Sequence, residues 1–289
     1  MTGTKQNRIA QAAVVFLVLL LGYSPAGLAR SIQVVVSVAP MAWLVEQIGG
    51  EVVAIDTLVA DGHVPESSQP SPHSLAGLPN ASIIVLTGHP SFTFERRFVI
   101  PQLSALQRTE VISLHDLAAG LYSVADIDRD DPHLWTSPRI MEATVERIAA
   151  RLSVLDPDHA TTYKKRAAQL ALEINSLIER FRSMVEHRPA KRFLVYHPAW
   201  GGLARDVGLV QVAIEHEGKS PGPARLAQLL DDIDREGDSM IIASPGHAQR
   251  DAAVLASQHH LRIVTVDPLM RNWFEMMMQM MAALEGVHD

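Results

Sequence analysis

No cysteine occurs in the 289 residues, and that absence removes disulfide frameworks, thiolate metal sites and the cysteine that would carry a lipid anchor. A bound metal must therefore be held by nitrogen and oxygen. The chain also has no His-Glu-x-x-His helix and no Gly-rich phosphate loop, so the catalytic chemistries those motifs mark lack their first requirement. No short-period repeat or low-complexity tract occurs, and no heptad seam is sustained long enough for a coiled coil. Positive charge is in the minority, with 25 Lys and Arg against 32 Asp and Glu and a formal charge of −7. An acidic surface argues against a nucleic-acid partner and suits a cation.

The chain opens on a leader. Lys5 and Arg8 precede a charge-free run from Ile9 to Ala29, apolar at its centre from Ala12 to Gly22 and closing on the small residues of Gly27-Leu28-Ala29. That centre is too short to span a bilayer comfortably, so residues 1–29 read as a cleaved secretory signal rather than a retained anchor. Without Lys5 and Arg8 the formal charge becomes −9. The 260 residues that remain, from a chain 47% hydrophobic, can bury one large core or two ordinary ones, and two domains are expected.

Apolar, largely β-branched runs at 32–38, 52–59, 82–86 and 110–114 alternate with helical patterns, and runs at 193–196, 210–214, 240–243 and 263–266 repeat this grammar, with helices over 224–236 and 248–259. Strands apolar on both faces that alternate with helices predict parallel sheets in an α/β layer architecture. Between the halves a helical pattern runs from about Asp156 to Val185. Asp156 or Asp158 can cap its start, and Leu170, Ile174, Leu177, Ile178, Phe181 and Val185 recur at spacings of three and four. The expected fold is two Rossmann-like α/β lobes, residues 30–155 and 189–289, joined by one long linker helix over 156–188. A ligand site belongs in the cleft between them, because in α/β sheets ligands collect at the carboxyl ends of strands.

Two histidines stand in contexts that a metal site needs: His133 in Asp131-Pro132-His133-Leu134-Trp135 and His197 in Val195-Tyr196-His197-Pro198-Ala199-Trp200. Proline and aromatic neighbours fix the direction of an imidazole, the commonest protein ligand for zinc. Asp267 marks the end of a third strand. Other groups invite weaker readings. His259 and His260 are adjacent on a helical pattern and point about 100° apart, which makes them a solvated helix end. His247, after Ser244-Pro245-Gly246, follows a strand and stays open as a neighbour of the cleft. Met276, Met277, Met278, Met280 and Met281 could suit cuprous ion, but they fit a buried C-terminal helix better.

Together the motifs resemble the solute-binding proteins of bacterial zinc and manganese ABC importers, over essentially the whole mature chain. Gln69-Pro70-Ser71-Pro72, Phe94-Glu95, the Asp-Pro-His-x-Trp of 131–135, the Tyr-His-Pro-Ala-Trp of 196–200, the stretch 214–221 and Val266-Asp267-Pro268 each look like a family motif. The resemblance implies metal ligands at His133, His197 and Asp267, and a first ligand ahead of Pro70. Where the family usually has histidine, Glu66 stands in this chain; His63 or His73 takes that place if the loop is shifted. Two imidazoles with two carboxylates make a harder, more anionic set than a histidine-rich one.

Two further departures carry expectations. The acidic histidine-rich loop of many zinc-importing relatives is reduced here to residues 126–130, so an auxiliary metal-collecting loop is missing. Gly202, where many relatives carry an aromatic, points to a more open pocket rim. The resemblance implies a monomeric periplasmic protein that captures Zn2+, with Mn2+ as the alternative, and delivers it to an ABC-importer permease without chemistry on the ion. The rival from another class is a secreted metal-dependent hydrolase, for which Glu215 and Glu217 lie close to His197 in sequence. An adhesin-like surface protein uses the same fold.

Overall fold

The computed structural model describes residues 31–59, 62–65, 68–123, 131–215, 222–236, 240–246 and 249–286. Strands β1 (Ile32–Val36), β2 (Val53–Thr57), β3 (Ile83–Leu86) and β4 (Glu110–Ser113) form one parallel sheet in the order β2-β1-β3-β4. Strands β5 (Arg192–Val195), β6 (Val210–Ala213), β7 (Met240–Ala243) and β8 (Arg262–Thr265) form a second in the order β6-β5-β7-β8. The two sheets have the same permuted topology. In each, the chain leaves the first strand for the neighbour on one side and then returns to the other, which makes a topological switch point at the carboxyl ends of β1 and β3 and of β5 and β7.

The helices are α1 (Ala39–Gly49), α2 (Pro72–Gly77), α3 (Thr93–Phe98), α4 (Ile100–Leu103), α5 (Leu114–Leu121), α6 (Pro138–Leu155), α7 (Ala160–His187), α8 (Gly201–Val207), α9 (Pro223–Glu236), α10 (Gln249–Gln258) and α11 (Trp273–Glu285). Among the described residues no helix is long and apolar enough to cross a membrane. The long helix α7 has 28 residues, which at 1.5 Å per residue is about 42 Å. Its buried stripe runs Tyr163, Ala167, Leu170, Ile174, Leu177, Ile178, Phe181 and Val185, the spacing read from the sequence extended about two turns toward its start. Asp156 sits ahead of it in a tight turn, where its carboxylate accepts the Tyr163 hydroxyl at 2.5 Å and lies 2.7 Å from His159 Nδ1. The Tyr163 hydroxyl, with His159, holds the Asp156 carboxyl below the usual range.

Burial follows the two-residue period of the strands. Phe193 and Val195 on β5 face the main core, and Leu194 and Tyr196 face a second cluster with Leu229, Ile233, Ala252 and Leu255 from α9 and α10. The main core is continuous from β1, β3 and α1 through α6 and α7 to Trp200 and Leu203. It also includes α11. Trp273 stacks on Trp43 of α1 with ring centroids 6.5 Å apart, and Met276, Met277, Met280 and Met281 are buried beside it. The methionines are core filling, as expected. His259 and His260 follow the end of α10, where His260 is exposed with a φ of 55°.

One buried carboxylate fastens the switch point of the first sheet. Glu95, 1% exposed, accepts the Ser37 hydroxyl just past β1, the Thr87 N–H at 2.8 Å, the Thr87 hydroxyl at 3.1 Å and the Gly88 N–H at 2.8 Å just past β3. Burial pushes its carboxyl up, and the hydrogen bonds from Ser37, Thr87 and Gly88 pull the other way. Each buried donor left without an acceptor costs about 1–3 kcal/mol, so Glu95→Ala should lower stability by at least about 3 kcal/mol. Glu95→Gln, which keeps one acceptor oxygen, should cost less. Urea unfolding of the two variants beside the parent checks the order.

Candidate metal centre

His133 and His197 meet edge to face across the two halves, with ring centroids 4.9 Å apart and planes at 86°. Their Nε2 atoms are 3.1 Å apart. Local structure explains how each ring arrives there. Asp131 Oδ1 takes the backbone N–H of His133 at 2.9 Å and lies 2.8 Å from its Nδ1, so one carboxylate oxygen closes the Asp-Pro-His turn from both ends. The His133 carbonyl is gripped in turn by the Thr136 N–H at 3.0 Å and the Thr136 hydroxyl at 2.8 Å. Trp135 lies edge-on to His133 at 5.2 Å and donates its indole N–H to the Pro268 carbonyl at 2.7 Å.

His197 follows β5 directly. Glu215 follows β6, the neighbouring strand, and the Val195–Ala213 register carried two residues further sets Glu215 beside His197. Its Oε1 lies 3.0 Å from His197 Nδ1. The Ala199 N–H closes on the His197 carbonyl at 2.9 Å, and the Trp200 N–H is held by Gln211 Oε1 at 2.6 Å.

All four groups are nearly out of water: His133 is 5% exposed, His197 6%, Asp131 9% and Glu215 5%. Burial by itself would raise the Asp131 carboxyl, but the hydrogen bonds and charge of His133, with the charge of His197, hold it below the ordinary carboxylate range. A carboxylate accepts only, so each Nδ1 is the donor, and in the neutral tautomer the Nε2 is left to present a lone pair. Two Nε2 atoms 3.1 Å apart can share one proton or turn together to one metal cation. Zinc binds imidazole nitrogen at about 2.0–2.1 Å in tetrahedral geometry, which sets two nitrogens about 3.3–3.4 Å apart. The observed spacing differs from that by a few tenths of an ångström.

The structure does not gather Asp267 with this pair. Among the described residues no group of three or more His, Asp or Glu side chains is close enough to hold an ion. Asp267 stands two residues beyond β8, two strands away from β5 in a sheet whose neighbours lie about 4.8 Å apart. It is half-buried, and its Oδ1 accepts the Leu269 N–H at 2.9 Å. Glu66 and His247 lie outside the described residues, and His63 and His73 are exposed.

Gly202 corrects an expectation. It is buried, and a Cβ there would come within 2.9 Å of both the Ser137 backbone nitrogen and the Ser137 Cβ. The glycine permits α8 to abut the His133 segment; it does not open the pocket rim. Gly201 does the same, since its Cβ would meet Asp131 Oδ2 at 2.4 Å. Sequence reasoning quoted Asp131 only as part of a motif and credited Glu215 to the rival reading. The detectable signal was positional: one carboxylate sits two residues before its histidine, and the other falls at the end of the adjacent strand.

Comparison with known proteins agrees with this geometry. The family model described as zinc-uptake complex component A, periplasmic (ZnuA), matches residues 34–287. A putative metal-binding protein of Chlamydia muridarum is 25% identical over 249 residues, covering 84% of this chain and 86% of the relative. The high-affinity zinc uptake system protein ZnuA of Paracoccus denitrificans is 33% identical over 142 residues, 48% of this chain and 43% of the relative. The crystal structure of a zinc-bound ZnuA deletion mutant superposes with a TM-score of 0.75 at 28% identity, covering 89% of this chain and 96% of the other. Two α/β lobes with permuted parallel sheets, joined by one long helix and meeting at a pair of carboxylate-bound imidazoles, belong to the ZnuA family of metal-binding substrate-binding proteins of ABC importers, and this chain is a member of it.

Proposed function

We propose that this protein captures one divalent transition metal ion, zinc in preference to manganese, and hands it to the permease of an ABC importer. The observation that carries the reading is the His133–His197 pair, whose Nε2 atoms converge at 3.1 Å while both Nδ1 atoms are held by carboxylates. Glu66 and Asp267 complete the proposed ligand set. Two imidazoles and two carboxylates stand between the nitrogen-rich sets that suit zinc and the oxygen-rich sets that suit manganese, and the general affinity order then favours zinc. Zinc-uptake relatives support the same choice.

A hydrolase needs a carboxylate beside an open coordination position. Glu215, the residue that favoured that rival, is engaged on the Nδ1 side of His197, away from the converging lone pairs. Binding without chemistry is therefore the better reading. We place the protein in the periplasm as a monomer, exported by residues 1–29 and without a lipid anchor, with lobes 30–155 and 189–289 on either side of the linker 156–188. The second lobe sends its last helix, α11, back onto the first.

Calorimetric titration of demetallated protein should give one ion per chain, and His133→Ala or His197→Ala should weaken zinc by at least about 100-fold. Parental affinity in both variants would sink the site. Partners that orient a ligand typically contribute about 10- to 100-fold in metal affinity, so Asp131→Asn and Glu215→Gln should each weaken zinc by that much while circular dichroism stays parental. Glu66→His should shift preference further toward zinc over manganese, and Glu66→Ala should weaken both ions; competition between the two metals on each variant reads this out.

A further inference from the structure

We propose that Asp206 is a positioning residue for the metal site: its carboxylate latches the segment after His133 to the helix after His197 and so sets the spacing of the two imidazoles. The inference rests on the metal-binding reading and adds a residue that no ligand motif contains. Asp206 lies on α8, nine residues after His197, and its side chain has no exposed surface. Its Oδ1 accepts the Tyr122 hydroxyl at 2.5 Å, and its Oδ2 accepts the Ser137 hydroxyl at 2.6 Å and the Arg139 N–H at 3.0 Å. These donors come from the end of α5, the N-cap of α6 and its first turn, all on the His133 side of the molecule. Ser137 follows His133 by four residues across a turn in which the Thr136 N–H and hydroxyl donate to the His133 carbonyl and the Ser137 N–H donates to the Leu134 carbonyl.

The latch is stronger than a helix cap requires. Ser137 already caps α6 through the Ile140 N–H at 3.2 Å. Burial and Asp206 push the Tyr122 hydroxyl up to about 12, so it remains a donor at any working pH. The Arg205 guanidinium stacks on the Tyr122 ring at 4.0 Å and lies 3.7 Å from Asp206 Oδ1, which adds a cation to the same cluster. Between the two segments Gly201 and Gly202 leave no side chain, so the α8 backbone closes on the Asp131 carboxylate and on the Ser137 backbone. With nothing bulky to wedge the segments, the charged latch is what keeps them in register. A relaxed latch leaves both histidines in place and lets the distance between them drift.

The test measures zinc affinity by chelator competition, zinc dissociation rate and the visible spectrum of the cobalt-substituted protein, at a temperature where every variant is folded. Asp206→Ala and Asp206→Asn should weaken zinc by about 10- to 100-fold, speed its release and change the cobalt absorption, in keeping with the effect of outer partners on metal sites. Tyr122→Phe, which removes one donor from the same carboxylate, should act in the same direction and less. Asp156→Asn, at the far end of α6, should leave all three readouts parental. If Asp206→Ala does not fold, Asp206→Asn and Tyr122→Phe decide the matter. Parental affinity, release and cobalt spectrum in the folded variants overturn the latch and leave the metal site standing. A parent that takes up neither zinc nor cobalt removes the reading beneath the latch, and the latch with it.

Discussion

A neutral imidazole has one N–H to give, and His133 and His197 have each given theirs to a buried carboxylate. What remains on each ring is a lone pair, fixed in direction, at a point where the two rings converge. In a medium from which water is nearly excluded, that arrangement is favoured by positive charge nearby, whether a proton shared by the rings or a metal ion. The pair therefore supplies two of the nitrogens that the proposed cation site would use. Asp131 and Glu215 also decide which tautomer each histidine adopts, and ligand basicity rises with a carboxylate behind the ring.

The scaffold can be understood as the means of bringing these couples together. Parallel strand pairing puts Glu215 beside His197 without any long-range adjustment, because β5 and β6 are neighbours in register. A single turn puts Asp131 against His133. The harder task is to bring the two couples to each other, and close backbone approach at Gly201 and Gly202 accomplishes it. Tryptophans tie the surroundings together: Trp135 donates to the Pro268 carbonyl and accepts the Trp273 indole N–H at its own carbonyl, so the His133 turn, the Asp267 loop and the last helix share one chain of hydrogen bonds.

Much of this was legible in the sequence, and the exceptions have physical causes. The strands announced themselves as short β-branched runs, and the long helix as an apolar stripe at spacings of three and four, since both patterns depend only on local periodicity. His133 and His197 were legible because proline and tryptophan mark constrained turns. Asp131 was visible but silent, since nothing in a motif tells which way a carboxylate bends. Glu215 was misassigned because nearness in sequence suggested a shared reaction, when strand adjacency makes it a ring holder. Gly202 was read through what it lacks, whereas the relevant quantity is how close Ser137 comes. Asp206 was invisible, being nine residues from one histidine and joined to the other only through tertiary contact.

The return of α11 to the first lobe has a consequence for the order of assembly. Trp273 and the methionines behind it complete a core whose other walls are β1 and α1, more than two hundred residues earlier, and β3, nearly two hundred earlier. Contacts of such sequence separation carry a large loop-closure cost and form late. During synthesis the hydrophobic interior of the first lobe stays unsealed on this side until Trp273 and the methionines after it have emerged.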